Sequence, residues 1–246
     1  MGRQRIIIIG ATSAIAEHCA RLWAQQASDF VLVGRDQDRL EAVAADLRVR
    51  SPQSSTQAIV MDFSDPGAIA ALAKQTASEG RVDIVLIAHG NLPVQSDCQQ
   101  DVGLTRQALE INGLSPVLFA EAFAGQMEAA GSGTLAIIGS VAGDRGRKTN
   151  YVYGAAKGLI DRYAQGLQHR FAGTQVKVVL IKPGPTATPM TAHLPQRGLA
   201  SVEAVANRIV TAVAAGQPVV YAPARWWLIM MIIRHLPRIV FNRLNI

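Results

Sequence analysis

Cysteine is almost absent: 246 residues hold two, Cys19 and Cys98. Their wide separation fits no metal-ligand spacing, and His18, His169 and His193 complete no ligand set with them. Reduced thiols and a metal-free chain are therefore expected. Aromatics make up only 5% of the chain, and no basic stripe interleaved with them crosses its body. That pattern speaks against a nucleic-acid surface despite a pI near 9.7. Acidic residues stop at Glu203, beyond which lie Arg208, Arg225, Arg234, Arg238 and Arg243. Residues 1–203 balance 19 Lys and Arg against 18 Asp and Glu, so five of the six net positive charges lie beyond Glu203. The longest apolar run is the eight residues 226–233, where a membrane span needs about 20. The first apolar run stops at Gly10, too soon for a signal-peptide core, and Ile6 stands where myristoylation at Gly2 requires Ser or Thr.

Linkers, repeats and low-complexity stretches are also missing, so one domain over residues 1–224 with a tail at 225–246 is expected. Apolar runs at 5–9, 30–33, 57–61, 82–87, 134–138 and 176–181 read as strands. Helical patterns separate them: from Gly10 to about Ala27, then 37–49, 66–78, 104–129 and 151–171. Strands of nearly continuous Val, Ile and Leu alternating with helices predict an α/β fold, a doubly wound parallel sheet covered on both faces. Right-handed crossovers put its ligand crevice at the carboxyl ends of the strands.

Chemistry enters at Ser140, which follows an apolar strand, and at Tyr153 and Lys157, four residues apart and so on one face of a helix. An ammonium beside a phenol favours the ionised form and predicts a lowered Tyr153 pKa. A hydroxyl, a phenol and a lysine together can polarise a ketone and protonate its oxygen as hydride reaches carbon. Upstream, Gly10 ends the first strand, and Thr12, Ser13 and the backbone at Ile15 open the next helix, a site for a pyrophosphate.

These residues resemble the short-chain dehydrogenases/reductases, although Ile9, Ala14 and Ala16 replace residues of the usual TGxxxGxG fingerprint and His89 interrupts the usual Asn-Ala-Gly. The resemblance runs over residues 5–221. It implies adenine contacts from Asp62 and Phe63, a cofactor wall at Ala88 and Gly90, and ribose contacts from Tyr153 and Lys157. It also implies a carboxamide segment comprising Pro183, Gly184, Thr186 and Thr188. Asn112 would hold a water in the proton relay, completing the catalytic set Asn112, Ser140, Tyr153 and Lys157. Arg35 stands where this family meets the adenosine ribose. Pairing with a 2′-phosphate points to NADP; stacking of Arg35, with Asp36 taking ribose hydroxyls, would point to NAD. His89 reads as a cleft-lining group or as a strand-end histidine bonded to backbone.

Arg145, Arg147 and Lys148 lie in the loop between Ser140 and Tyr153, where they predict an anionic substrate group or, alternatively, a solvated turn held by Asp144. At helical spacing the tail puts Ile229, Ile232, Ile233, Leu236 and Val240 on one face and Arg234, His235, Arg238 and Asn242 on the other. This predicts binding to an anionic membrane surface, peripheral and cytoplasmic, with Pro237 kinking or restarting the helix. The other reading packs the tail on protein, and a homo-oligomer is expected. The glycine-poor nucleotide loop, Ala-His-Gly, the cationic loop and the Trp-rich tail together resemble the polyprenylphospho-2-keto-pentose reductase branch. That likeness implies a lipid-linked 2-keto pentose substrate. A soluble ketoreductase of another small ketone or alcohol, or a non-catalytic nucleotide-binding scaffold, would share most of these features.

Overall fold

Four consecutive isoleucines have nothing to offer water, and they form an interior strand of the sheet. The computed structural model describes residues 3–26, 28–193, 195 and 197–244. In it β1 (Arg5–Ile9) pairs on both sides, and Ile6, Ile7, Ile8 and Ile9 are 0% exposed. Side chains alternate across a strand, so Ile6 and Ile8 join one apolar cluster while Ile7 and Ile9 join the other. Each such burial contributes about 2 kcal/mol, which explains why this strand sits inside the sheet rather than at an edge.

The expected alternation continues through α1 (Ala14–Ala24), β2 (Asp29–Gly34), α2 (Gln37–Arg50), β3 (Thr56–Val60), α3 (Pro66–Ser78) and β4 (Ile84–Ile87). The expected end of the first helix at Ala27 lies outside the described residues, as do Gly2 and the last two positions of the tail. Next come α4 (Gln95–Gln100), α5 (Val102–Leu109), α6 (Ser115–Ala130), β5 (Ser132–Ile138), α7 (Tyr151–Arg170), β6 (Gln175–Pro183), α8 (Val202–Ala215) and β7 (Val219–Ala222). Among the described residues seven strands pair in parallel in the order β3-β2-β1-β4-β5-β6-β7. Helices α1, α2 and α8 cover one face and α3, α6 and α7 the other. The order reverses between β1 and β4, and there the carboxyl ends open a crevice.

One expected helix is broken. Instead of running through 104–129, the chain makes a π-helical turn at Glu110–Leu114 between α5 and α6. Pro116, in the first turn of α6, supplies no N–H for the Asn112 carbonyl four residues back, so a regular ladder cannot continue there.

The tail forms α9 (Arg225–His235) and α10 (Arg238–Phe241), and Pro237 separates them as its lack of an N–H demands. Its faces differ from the expected ones. Met230 is buried, and with Trp226 and Ile233 it packs against Val141 and Tyr221. Ile232 and Val240 are 60% and 45% exposed: the packed face of α9 centres on Met230, which turns Ile232 outward, and the break at Pro237 resets the helical phase before Val240. The outward surface instead carries Trp227, Leu228, Met231, Ile232, Ile239 and Val240. Among the described residues no helix is long and apolar enough to cross a membrane.

Candidate active site

The carboxyl ends of the strands enclose a cleft of about 850 Å³ that runs from Arg35 to Met190. Its floor begins at Gly10, whose φ of +80° suits glycine; a Cβ there would come within 2.7 Å of His89. Thr12, Ser13 and Ile15 line the cleft where α1 starts. Ser13 is the N-cap residue of α1 yet makes no side-chain cap bond, which leaves the first-turn amides to an anion.

At the far end stand two guanidinium groups, Arg35 and Arg39, both lining the cleft. Arg39 was not expected from the sequence; it reaches from α2 to the loop before α1 and donates to the Thr12 carbonyl at 3.1 Å. Asp36 is engaged as the N-cap of α2, accepting from the Arg39 amide at 3.1 Å. Its carboxylate is thereby drawn toward the helix, while both guanidiniums remain available to a phosphate. Asp62 accepts from the amide and hydroxyl of Ser64, each at 2.9 Å. These bonds hold its carboxyl below the usual range. Phe63 completes this wall, edge-on to His89 with ring centres 4.7 Å apart.

His89 lines the cleft between Ala88 and Gly90, and its partner is a side chain rather than backbone. Its Nε2 is 2.9 Å from the Ser115 hydroxyl, which itself donates to the Phe63 carbonyl at 2.7 Å. A hydroxyl has one proton to give, so Ser115 accepts from His89 and the ring is the Nε2–H tautomer. Burial, with Lys157 and Arg35 nearby, pushes its pKa down to about 3.

Deeper in the cleft lie Ser140, Tyr153 and Lys157. Ser140 caps the short 3₁₀ turn Val141–Gly143 by accepting from the Ala142 amide at 3.1 Å. Tyr153 and Lys157 stand one turn apart on α7, with Nζ 5.7 Å from the phenol ring centre and donating to the Ile138 carbonyl at 3.1 Å. The expected lowering of the Tyr153 pKa is not found. Burial pushes it up, opposed only in part by the hydrogen bond with Ser140, because a desolvated phenol resists ionisation. Burial also pushes Lys157 down to about 8, with Asp161 opposing.

Asn112 does not line the cleft. It is fully buried in the π turn, donating to the Asn91 side chain at 2.7 Å and to the Ala108 carbonyl at 3.0 Å, and accepting from the Asn91 amide at 2.8 Å. Gly90 lies between it and Lys157: a Cβ there would be 2.8 Å from Asn112 Oδ1 and 3.7 Å from Lys157 Nζ. Pro183, Gly184, Thr186 and Thr188 line the opposite rim, and Thr186 donates to the Gly184 carbonyl at 2.9 Å.

The three loop cations separate. Arg147 lines the cleft; Arg145 and Lys148 do not. Lys148 faces solvent, and Arg145 is committed to the tail. Asp144 holds the loop through Lys182 and through Tyr221, whose hydroxyl donates at 2.8 Å. Lys182 also pairs with Asp161 at 2.6 Å, a buried network absent from the sequence reading.

Known proteins resemble this chain in sequence and fold. The family profile of the short chain dehydrogenases matches residues 4–198. An uncharacterized oxidoreductase of Mycobacterium tuberculosis strain H37Rv is 31% identical over 99% of this chain and 98% of its own. Another from Streptomyces coelicolor, encoded in the mprA 5′ region, is 30% identical over 97% of this chain and 95% of its own. Among solved structures, a short-chain dehydrogenase of Burkholderia cenocepacia in complex with NADP superposes with a TM-score of 0.83 at 17% identity, covering 99% of this chain and 98% of that one. A Sphingobium yanoikuyae enzyme in complex with NADPH gives 0.80 at 24%, covering 96% and 97%. With its profile match and relatives aligned end to end, the chain belongs to the short-chain dehydrogenase/reductase family of NAD(P)-dependent oxidoreductases.

Proposed function

We propose that this enzyme reduces a ketone to an alcohol with NADPH, NADH being the alternative donor. The convergence of Ser140, Tyr153 and Lys157 at the inner end of a cleft built for a dinucleotide carries the proposal. The residues fit such a cofactor: Gly10 and the open start of α1 suit the pyrophosphate, and Arg35 with Arg39 suits a 2′-phosphate. A reduced nicotinamide held there would supply hydride to the carbonyl carbon. Ser140 donates a hydrogen bond to the carbonyl oxygen and holds it beside the phenol. Tyr153, kept neutral by burial, gives its proton to that oxygen as negative charge develops. Lys157 stabilises the phenolate left behind, and the buried Asn112 and Asn91 pair supports the return of a proton toward it.

For the substrate we favour a 2-keto pentose linked to a polyprenyl phosphate, reduced at the cytoplasmic face of a membrane. Support comes from the outward apolar surface of α9 and α10 beside Arg234, Arg238 and Arg243, and from Arg147 in the cleft wall. A water-soluble ketone is the second reading, favoured by the packing of Trp226, Met230 and Ile233 on the enzyme's own body. Following NADPH oxidation with a lipid-phosphate-linked 2-keto pentose beside neutral ketones tests both. Reduction of none of them removes the proposal.

A further inference from the structure

Arg147 sits in the wall of the cleft, and among the described residues no carboxylate pairs with it. Asp144, three residues earlier, is occupied by Lys182 and Tyr221. Arg147 Nε is buried without a hydrogen-bond partner, and burial pushes its guanidinium pKa down. The half-buried guanidinium thus keeps a desolvated donor unused, a cost that a ligand would relieve. Beside it on the same loop, Asn150 also lines the cleft with a buried, unpartnered Oδ1. Asparagine at the N-cap of a helix ordinarily accepts from the first turn, yet Asn150 makes no such bond to α7. A donor and an acceptor thus lie unused on the helix start that carries Tyr153.

We infer that Arg147 and Asn150 form a substrate subsite for an oxyanion, a phosphate ester or a carboxylate, with a neighbouring hydroxyl donating to Asn150. This rests on the ketone-reductase reading and deepens it. Arg147 then carries the discrimination that the whole cationic loop was expected to share, since Arg145 is consumed by the tail and Lys148 lies outside the cleft.

The experiment compares ribulose with ribulose 5-phosphate, and methyl acetoacetate with acetoacetate, in the purified full-length enzyme with NADPH. The anionic member of at least one pair is expected to show a kcat/KM at least tenfold higher, and the pair that does identifies phosphate or carboxylate. Arg147→Gln should erase that ratio, Arg147→Lys should retain part of it, and Lys148→Gln should leave it intact. Equal ratios in wild type, or a ratio that survives Arg147→Gln, overturn the subsite. Calorimetric titration of inorganic phosphate into enzyme saturated with NADP decides the matter independently of turnover. Binding at least tenfold weaker in Arg147→Gln, with an unchanged melting temperature, supports the subsite; no binding, or binding indifferent to the substitution, removes it. Absence of reduction with every ketone counts against the reductase reading alone, because the phosphate titration still reports on Arg147.

Discussion

The guanidinium of Arg145 lies 3.7 Å from the centre of the Phe241 ring, and its Nη1 donates to the carbonyls of Ile233 and Leu236 at 2.5 and 2.8 Å. These carbonyls close the last turn of α9, where a cation complements the helix dipole. The loop after Ser140 therefore clasps the end of the chain. Replacing Arg145 with Ala should cost about 2 kcal/mol, from one cation–π contact and the lost hydrogen bonds. Thermal melts should fall by about 4–8 °C, and trypsin should cleave at Arg238 sooner. An unchanged melt with unchanged cleavage would show that the clasp contributes nothing.

Tyr153→Phe removes only the phenolic hydroxyl of the proposed acid. Turnover should drop at least about a hundredfold, while the cofactor dissociation constant stays within about twofold of wild type. Stopped-flow reduction and a separate fluorescence titration of NADPH read the two quantities. Retained turnover assigns the proton to another group.

Arg35 and Arg39 face the cleft together while Asp36 caps α2. Arg35→Ala should weaken NADPH by about tenfold or more, the scale of a charge-assisted contact, and leave NADH nearly unaffected. Arg39→Ala should act in the same direction and also loosen the contact with the Thr12 carbonyl. Tighter binding of NADH than NADPH by the wild type would return the choice of cofactor to the backbone or to Asp36.

His89 gives a pH dependence of definite sign. Its pKa is pushed from the ordinary 6.5 down to about 3, so between those values the unfolded chain binds the extra proton. Stability therefore rises with pH through this window and is lost as pH falls from 6.5 toward 3. His89→Asn deletes that dependence, and its acid-unfolding midpoint should move to lower pH. Nitrogen-15 spectra of the wild type should show a neutral ring with the proton on Nε2 down to about pH 4; a ring that titrates near 6.5 contradicts the buried assignment.

Much of this architecture is readable from local pattern. The isoleucine strand, the helix start after Gly10 and the one-turn spacing of Tyr153 and Lys157 each depend on residues close in sequence, and the structure repeats them. What escaped depends on distant partners. The four-residue β7 acquires its identity by pairing with β6, although α8 was open to detection through its apolar stripe between Ser201 and Gly216. Pro116 announced the break at Asn112, yet the surrounding apolar periodicity masked it. The pKa of Tyr153 moved opposite to expectation because spacing reveals a neighbouring lysine and says nothing of desolvation. Arg145 and Arg147 are two residues apart with like charge; only the tail's position tells them apart.

That position also determines how the membrane reading must be tested. Deleting α9 would uncover Val141, beside Ser140, and so would confuse lost anchoring with lost structure. The outward residues Trp227, Leu228 and Ile232 are 56%, 60% and 60% exposed, so changing all three to Ser spares the inner stripe of Trp226, Met230 and Ile233. If the tail lies in an anionic headgroup layer, these rings and aliphatic chains enter it while the exposed arginines meet phosphates, each contributing about 1 kcal/mol near such a surface. Wild type should sediment with phosphatidylserine-rich vesicles and be released by added salt, since Debye screening shortens the reach of exposed charges. The triple-Ser variant should remain in the supernatant with an unchanged melting temperature, and should show a raised KM for a long-chain lipid substrate with near-normal kinetics on a short soluble ketone. Wild type that ignores these vesicles rules out the membrane role, and a triple-Ser variant that instead splits a dimer assigns this surface to a second copy of the chain.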